Sequence, residues 1–90
     1  MIFFRRVEGK SMLPTLRPGQ TVIAHRVRNF KVGQVIIAYV NGREVIKRIT
    51  KLEYGRVFIE GDNPKASTDS RDYGSVADRL IEGVVFWPRV

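Results

Sequence analysis

Along this chain apolar residues recur with the period of two that strands require, and hardly at all with the period of a helix. "IFFRRVE" (Ile2 to Glu8) reads as an opening strand and "TVIAHRV" (Thr21 to Val27) as a second. "QVIIAYV" (Gln34 to Val40) is almost wholly apolar, the mark of a strand buried on both faces. Asn41-Gly42 then fits a two-residue hairpin turn, because both residues tolerate positive φ. Glu44 to Leu52 returns as the partner strand, and Glu53 to Gly55 turns the chain again. Arg56 to Glu60 continues the meander and "LIEGVVFW" (Leu80 to Trp87) closes it. Pro18-Gly19 marks a further turn. Helical character is confined to a short turn over Ser75 to Leu80. The pattern predicts a mainly β fold: a single small antiparallel domain over residues 1–90, with little helix and no linker or repeat.

Two segments break the alternation. One is "EGKSMLPTLRPGQ" (Glu8 to Gln20), and the other is "GDNPKASTDSRDYGS" (Gly61 to Ser75). The second is as long as the roughly 12–15 residues beyond which structureless loops become uncommon in compact domains. Its Asp, Asn and Ser residues supply many local side-chain-to-backbone bonds, which predicts an ordered loop.

Composition narrows the chemistry. There is no cysteine, which excludes disulfides, thiolate metal sites and a cysteine nucleophile. The single histidine, His25, falls on a strand with no evident carboxylate partner, and no metal or cofactor is expected. Sixteen Lys and Arg against nine Asp and Glu leave a net charge of +7. Such a balance suits nucleic acid, an anionic membrane surface or an acidic peptide, without choosing among them. The longest apolar run falls far short of the roughly 20 residues of a spanning helix. "MIFFRR" is too short for a signal peptide. The chain is therefore expected to be cytoplasmic, or at most peripheral at a membrane.

"GREVIKRIT" (Gly42 to Thr50) places Lys47 on the strand face it shares with Val45 and Ile49. Its stem could lie along apolar surface with the ammonium in water. Alternatively, burial could hold the amine neutral and make it a base. Ser11 lies in an irregular stretch between Gly9 and Pro14, just after a strand. A serine there is an ordinary turn residue, or a nucleophile if a base takes its proton.

Taken in order, "GKSMLPTLRPGQ", "VIKRI" and "GDNPKASTDSRDYG" resemble the serine box, the lysine box and the GDN…S.DSR box of type I signal peptidases. That group of Ser/Lys peptidases also includes LexA-type repressors. The boxes span roughly Val7 to Gly74. The short length and "GDNPKASTDSR" are most similar to the nickel-type superoxide dismutase maturation proteases, small members credited with trimming the leader from that enzyme's precursor.

The resemblance implies roles. Ser11 matches the nucleophile, and Lys47 the general base that later returns the proton to the leaving amine. Ser67 matches a serine whose hydroxyl orients the base. Asp69 and Arg71 match a structural charge pair, and Met12 and Pro14 match supporting residues. The Ser11 backbone N–H would serve the oxyanion hole. Gly9 stands where some members carry a serine hydroxyl as second donor, so a side-chain donor is missing. Arg48 is read as fold support, Asp62 and Asn63 as turn formers, and Lys10 and Lys65 as solvated.

The expected partner is a precursor protein with an N-terminal leader. Only ten residues precede Ser11, so the transmembrane anchor of secretory members is expected to be absent. A signal peptidase docked peripherally through Ile2, Phe3, Phe4, Phe86 and Trp87, with Arg5 and Arg6 on anionic headgroups, is one alternative. A basic β domain that binds single-stranded nucleic acid is another. Against both stands the expectation that the aromatics, falling within apolar strand patterns, belong to the core.

Overall fold

The computed structural model describes residues 1–90. Seven strands form one sheet: β1 (Ile2–Arg6), β2 (Thr21–His25), β3 (Val35–Val40), β4 (Arg43–Glu53), β5 (Arg56–Glu60), β6 (Val76–Ala77) and β7 (Ile81–Trp87). Their spatial order is β1-β2-β7-β3-β4-β5-β6, and every pairing is antiparallel. The predicted β class and meander therefore hold. The closing strand β7 inserts between β2 and β3, an order that no local pattern reveals.

β3 is buried on both faces, as its apolar run predicts. Val35 and Ile37 join one core cluster with Val7, Met12, Leu16, Val22, Ala24 and Val85. Ile36, Ala38 and Val40 join the other, with Ile49, Val57, Ile59, Val76, Ile81 and Val84. The alternation of side chains along one central strand thus feeds two apolar layers. Asn41 and Gly42 form the predicted hairpin turn, with φ of 52° and 80°.

The structure corrects two expectations. The α-helical turn lies at α1 (Ser70–Tyr73), inside the segment read as a loop, whereas Ser75 to Leu80 holds β6 and a 3-10 turn over Asp78–Leu80. Asp69 caps α1 by accepting from Arg71 N, Asp72 bonds back to the Asp69 N–H, and Gly74 ends the turn at φ 81°. Several aromatics also lie outside the core. Phe4 is 57%, Trp87 55%, Tyr39 52% and Phe86 44% exposed, while Phe3 and Phe58 are half-buried. Phe4 lies on the edge strand β1, but Tyr39, Phe86 and Trp87 lie on the interior strands β3 and β7, so a place inside the sheet does not by itself cover a side chain.

Two features of the sheet place Lys47 and the Ser11 segment. β5 pairs β4 only from Arg48 onward. Arg43 to Lys47 therefore pair with β3 along one edge and have no strand along the other. After β1, Val7 keeps contact with the β2 side through Val7 N–Gln20 O and Gly19 N–Val7 O bonds, both 2.8 Å. The chain then swings away into the Ser11 segment.

Candidate active site

Lys47 sits in the middle of β4 opposite Ile36 of β3. Strand alternation turns it to the face of Val45 and Ile49, which pack into the second apolar layer. The side chain is only 4% exposed. Burial pushes the amine below the ordinary lysine value of 10.5; the Asp69 charge pulls it back up, and Arg71 and Arg43 push it further down.

The amine donates to Ser67 Oγ at 2.7 Å. Ser67 gives its own hydroxyl proton to Asp69. A hydroxyl has one proton, so towards Lys47 it can only accept. One N–H of Lys47 is thereby committed to Ser67, so that when the amine gives up a proton its lone pair points elsewhere. No carboxylate touches Lys47 directly.

Asp69 is wholly buried. Burial alone would raise its pKa. Bonds from the Arg71 guanidinium, from Ser67 and from the Gly61 and Arg71 backbone N–H groups hold it well below the usual carboxylate range instead. Arg71 reaches both oxygens, at 3.0 Å through Nε and 2.6 Å through Nη2, and also bonds the Gly61 carbonyl at 3.0 Å. The charge pair thus fixes the turn that carries Ser67.

Ser11 opens a tight turn in which Leu16 N bonds Met12 O at 2.9 Å. Met12 and Leu16 are 1% and 0% exposed and anchor this turn in the core. Pro14 follows a cis peptide bond, and Gly9 adopts φ 73°, a conformation that favours glycine. A Cβ at Gly9 would meet nothing within 4 Å, so the dihedral and not crowding calls for glycine there.

Ser11, Lys47 and Gly9 line one cleft of about 910 Å³. It runs between the β1 extension and the unpaired edge of β4. The Ser11 hydroxyl is half-buried and makes no hydrogen bond to another protein group, so Ser11 and Lys47 share the cleft without being bonded to each other. His25 lies outside the cleft, against the Phe86 ring at 4.9 Å between centroids.

Sequence reasoning undervalued three residues. Asn63, read as a turn former, braces the Ser11 segment: its backbone N–H donates to Ser11 O at 2.8 Å and its side chain to Lys10 O at 3.0 Å. Asp62 accepts from Thr15 Oγ1 at 2.5 Å and from Arg48 at 2.9 and 2.8 Å. Arg48 is thus the fold support expected, and Asp62 ties it to the Ser11 turn. Gly61 permits the closest approach of all. A Cβ there would fall 2.6 Å from the Ser11 carbonyl oxygen and nearer still to Ser67 Oγ. These groups belong to separate motifs, and their pairing exists only in space.

Known proteins resemble this chain in sequence. The chain is 47% identical over 47 residues to mitochondrial inner membrane protease subunit 1 of Xenopus tropicalis, a match covering 49% of this chain and 28% of the relative. It is 30% identical over 115 residues to mitochondrial ATP-independent inner membrane protease subunit 1b of Arabidopsis thaliana, covering 94% and 68%. Against mitochondrial inner membrane protease subunit 2 of Mus musculus the identity is also 30% over 115 residues, covering 92% and 66%. The chain spans less than a third of the length of the first of these relatives. The two longer alignments have more positions than this chain has residues, so those relatives carry insertions. The family match runs over residues 1–86, nearly the whole sheet and both irregular segments: the chain belongs to the Peptidase S24-like family.

Proposed function

We propose that this chain is a serine endopeptidase that removes an N-terminal leader from a precursor protein by means of a Ser11–Lys47 dyad. The observation that carries the reading is the buried Lys47 amine, bonded to Ser67 at 2.7 Å and facing the same cleft as Ser11. A neutral amine there takes the Ser11 hydroxyl proton as Oγ attacks the scissile carbonyl. The oxyanion that forms is met by the Ser11 backbone N–H, with the open Gly9 backbone beside it. Lys47 then passes the proton to the leaving amine, and the C–N bond breaks. Water, deprotonated by the same amine, hydrolyses the acyl-enzyme ester and frees Ser11. Ser67 orients the base, Asp69 and Arg71 hold Ser67, and Met12 and Pro14 shape the serine turn. The unpaired edge of β4 offers an extended substrate backbone hydrogen-bonding groups beside the dyad.

For the substrate, the similarity of "GDNPKASTDSR" to the maturation proteases favours the precursor of a nickel-type superoxide dismutase, cleaved in the cytoplasm. One observation favours a second reading, in which the protein docks on a membrane and trims secretory-type precursors. Phe4 pairs with Ile23, and Ile23 with Trp87, in register across β1, β2 and β7. Residues directly opposite share a face, so exposed Phe4 and Trp87 flank Ile23 in an apolar row, with Ile2 next along β1 and Arg6 beyond Phe4. No helix of the chain is long and apolar enough to cross a membrane.

The test is mass spectrometry of products from two precursors, a nickel superoxide dismutase precursor and a secretory preprotein. Each is incubated with the protein with and without vesicles containing anionic lipid. Cleavage of the first without lipid supports the soluble reading, and a vesicle requirement supports the membrane one. If Lys47→Ala kept wild-type turnover, the base assignment would be wrong.

A further inference from the structure

The charge of the cleft is uneven. Arg5, Arg6, Lys10 and Arg43 line it together with Glu8 and Glu44. Arg5 and Glu44 neutralise each other at 2.6 Å. Arg6, Lys10 and Arg43 enter no ion pair within the chain, and Glu8 is the one lining carboxylate left against them. Arg6 and Arg43 are both exposed. They lie on the two strands that border the cleft, Arg6 ending β1 and Arg43 opening β4.

Their place relative to the dyad is set by the strands. Arg43, Val45 and Lys47 share one face of β4, so Arg43 lies about 13 Å along the strand from Lys47, at roughly 3.3 Å per residue. The β4 edge between them has no strand partner. An extended peptide lying along that edge with its scissile bond at Lys47 carries the side chain about four residues away to Arg43. Arg6 lines the same cleft from the opposite border, at the end of β1.

We infer that Arg43 and Arg6 form an anion subsite, which selects substrates bearing Asp or Glu about four residues from the scissile bond. The inference rests on the endopeptidase reading above and names a substrate class for it. A guanidinium offers a carboxylate two parallel donors, which a lysine does not. Because the contact lies away from the reacting carbonyl, it acts mainly through KM. Being open to solvent, it weakens as salt screens it.

The experiment begins by incubating the protein with a degenerate peptide library and locating cuts by mass spectrometry. Matched peptides then carry Asp, Asn or Lys at the fourth residue on each side of the cut. At low ionic strength kcat/KM should fall from Asp to Asn to Lys on one side, by roughly two- to tenfold per step, and the steps should shrink in about 0.5 M salt. Arg43→Gln and Arg6→Gln should flatten the ratio measured within each variant, and Arg43→Glu should invert it in favour of Lys. Arg79→Gln removes the same charge outside the cleft and should keep the wild-type ratio. Equal rates for all three peptides, or a ratio that Arg43→Glu leaves alone, would overturn the subsite while leaving the endopeptidase intact. A ratio lost equally in Arg79→Gln would reduce it to net charge and overturn it too. Failure to cut any library peptide, with Ser11→Ala indistinguishable from wild type, would instead sink the endopeptidase reading and the subsite with it.

Discussion

Lys47 Nζ lies 2.7 Å from Ser67 Oγ, and Ser67 in turn directs its proton to the buried carboxylate of Asp69. The lysine is thus held by a hydroxyl and not by a carboxylate. Direct contact with Asp69 would stabilise the ammonium and raise the pKa. A hydroxyl between them positions the amine while keeping full negative charge one group away.

Replacing that hydroxyl should therefore uncouple position from burial. Ser67→Ala is expected to fold, and to lower kcat roughly ten- to hundredfold, since small misplacements of a catalytic group cost about that much. Ser67→Thr, which keeps the hydroxyl, should recover part of the loss. Single-turnover cleavage of one substrate by the three proteins measures the effect. Equal rates in all three would remove Ser67 from the mechanism.

As the base proposed above, Lys47 would make opposite demands on activity and stability. Its folded pKa lies below the ordinary 10.5, so the amine becomes a competent base at a lower pH than free lysine does. Activity should rise with pH through that folded value. The same shift means the ammonium is disfavoured in the folded protein. The destabilisation is fully present below the folded pKa and is relieved as pH rises towards the unfolded value. Lys47→Met should accordingly raise the thermal midpoint at neutral pH while abolishing cleavage, and its advantage should shrink in alkaline buffer. A midpoint lower than wild type at neutral pH would contradict this account.

Arg43 is one of the charges that hold the Lys47 pKa down. Arg43→Gln should therefore move the rising limb of the pH–activity profile to higher pH, towards ordinary lysine. Raising the ionic strength should shrink the difference between the Arg43→Gln and wild-type profiles, because it screens the exposed Arg43 charge. A profile that shifts downwards would mean that Arg43 does not act on the amine electrostatically.

Asp69 contributes to the acid dependence of the fold, as Asp62 does. Its folded pKa is depressed, so its contribution is fully present above the unfolded value of about 3.9 and is lost as pH falls below it. Asp69→Asn turns one carboxylate oxygen into a donor facing the Gly61 N–H, Ser67 and Arg71, and should cost roughly 1–3 kcal/mol. Urea titrations should show a wild-type advantage that is constant above about pH 5 and narrows below pH 4. An advantage independent of pH would assign the effect to packing alone.

Gly61 tests the contact between the two irregular segments. Its Cβ would meet the Ser11 carbonyl and Ser67 Oγ, so Gly61→Ala must push the segments apart. A loss of roughly 1–3 kcal/mol is expected from such overpacking. Activity should fall further than the folded fraction does, because the displaced groups carry Ser11 and Ser67. Gly55→Ala, in an exposed hairpin turn with open space around its Cβ but at φ 71°, should cost stability without that excess loss of activity.

The helical turn at Ser70–Tyr73 shows where local reading falls short. Its signals are present: Asp69 at the cap, Asp72 three residues on, and Gly74 after the last turn. They pass for loop chemistry because one turn is too brief to display a hydrophobic period. The outer aromatics mislead for another reason. Phe4 and Trp87 alternate as core residues would, yet whether a strand face is covered depends on what packs over it, and nothing does here.

What the residues determine alone is short-ranged. Alternation lays down the strands, Asn41-Gly42 sets the hairpin, and the all-apolar β3 announces burial on both faces, because each depends on dihedrals and neighbours a few positions apart. Lys47 among apolar residues, with Ser11 and the GDN segment as companions, also suggests the chemistry before any coordinates. The fold alone decided that β7 lies between β2 and β3, that Arg48 and Asp62 meet, and that Gly61 lets Ser67 approach the Ser11 backbone. Those contacts join residues far apart in the chain, and their strength depends on burial that exists only once the sheet has closed around them.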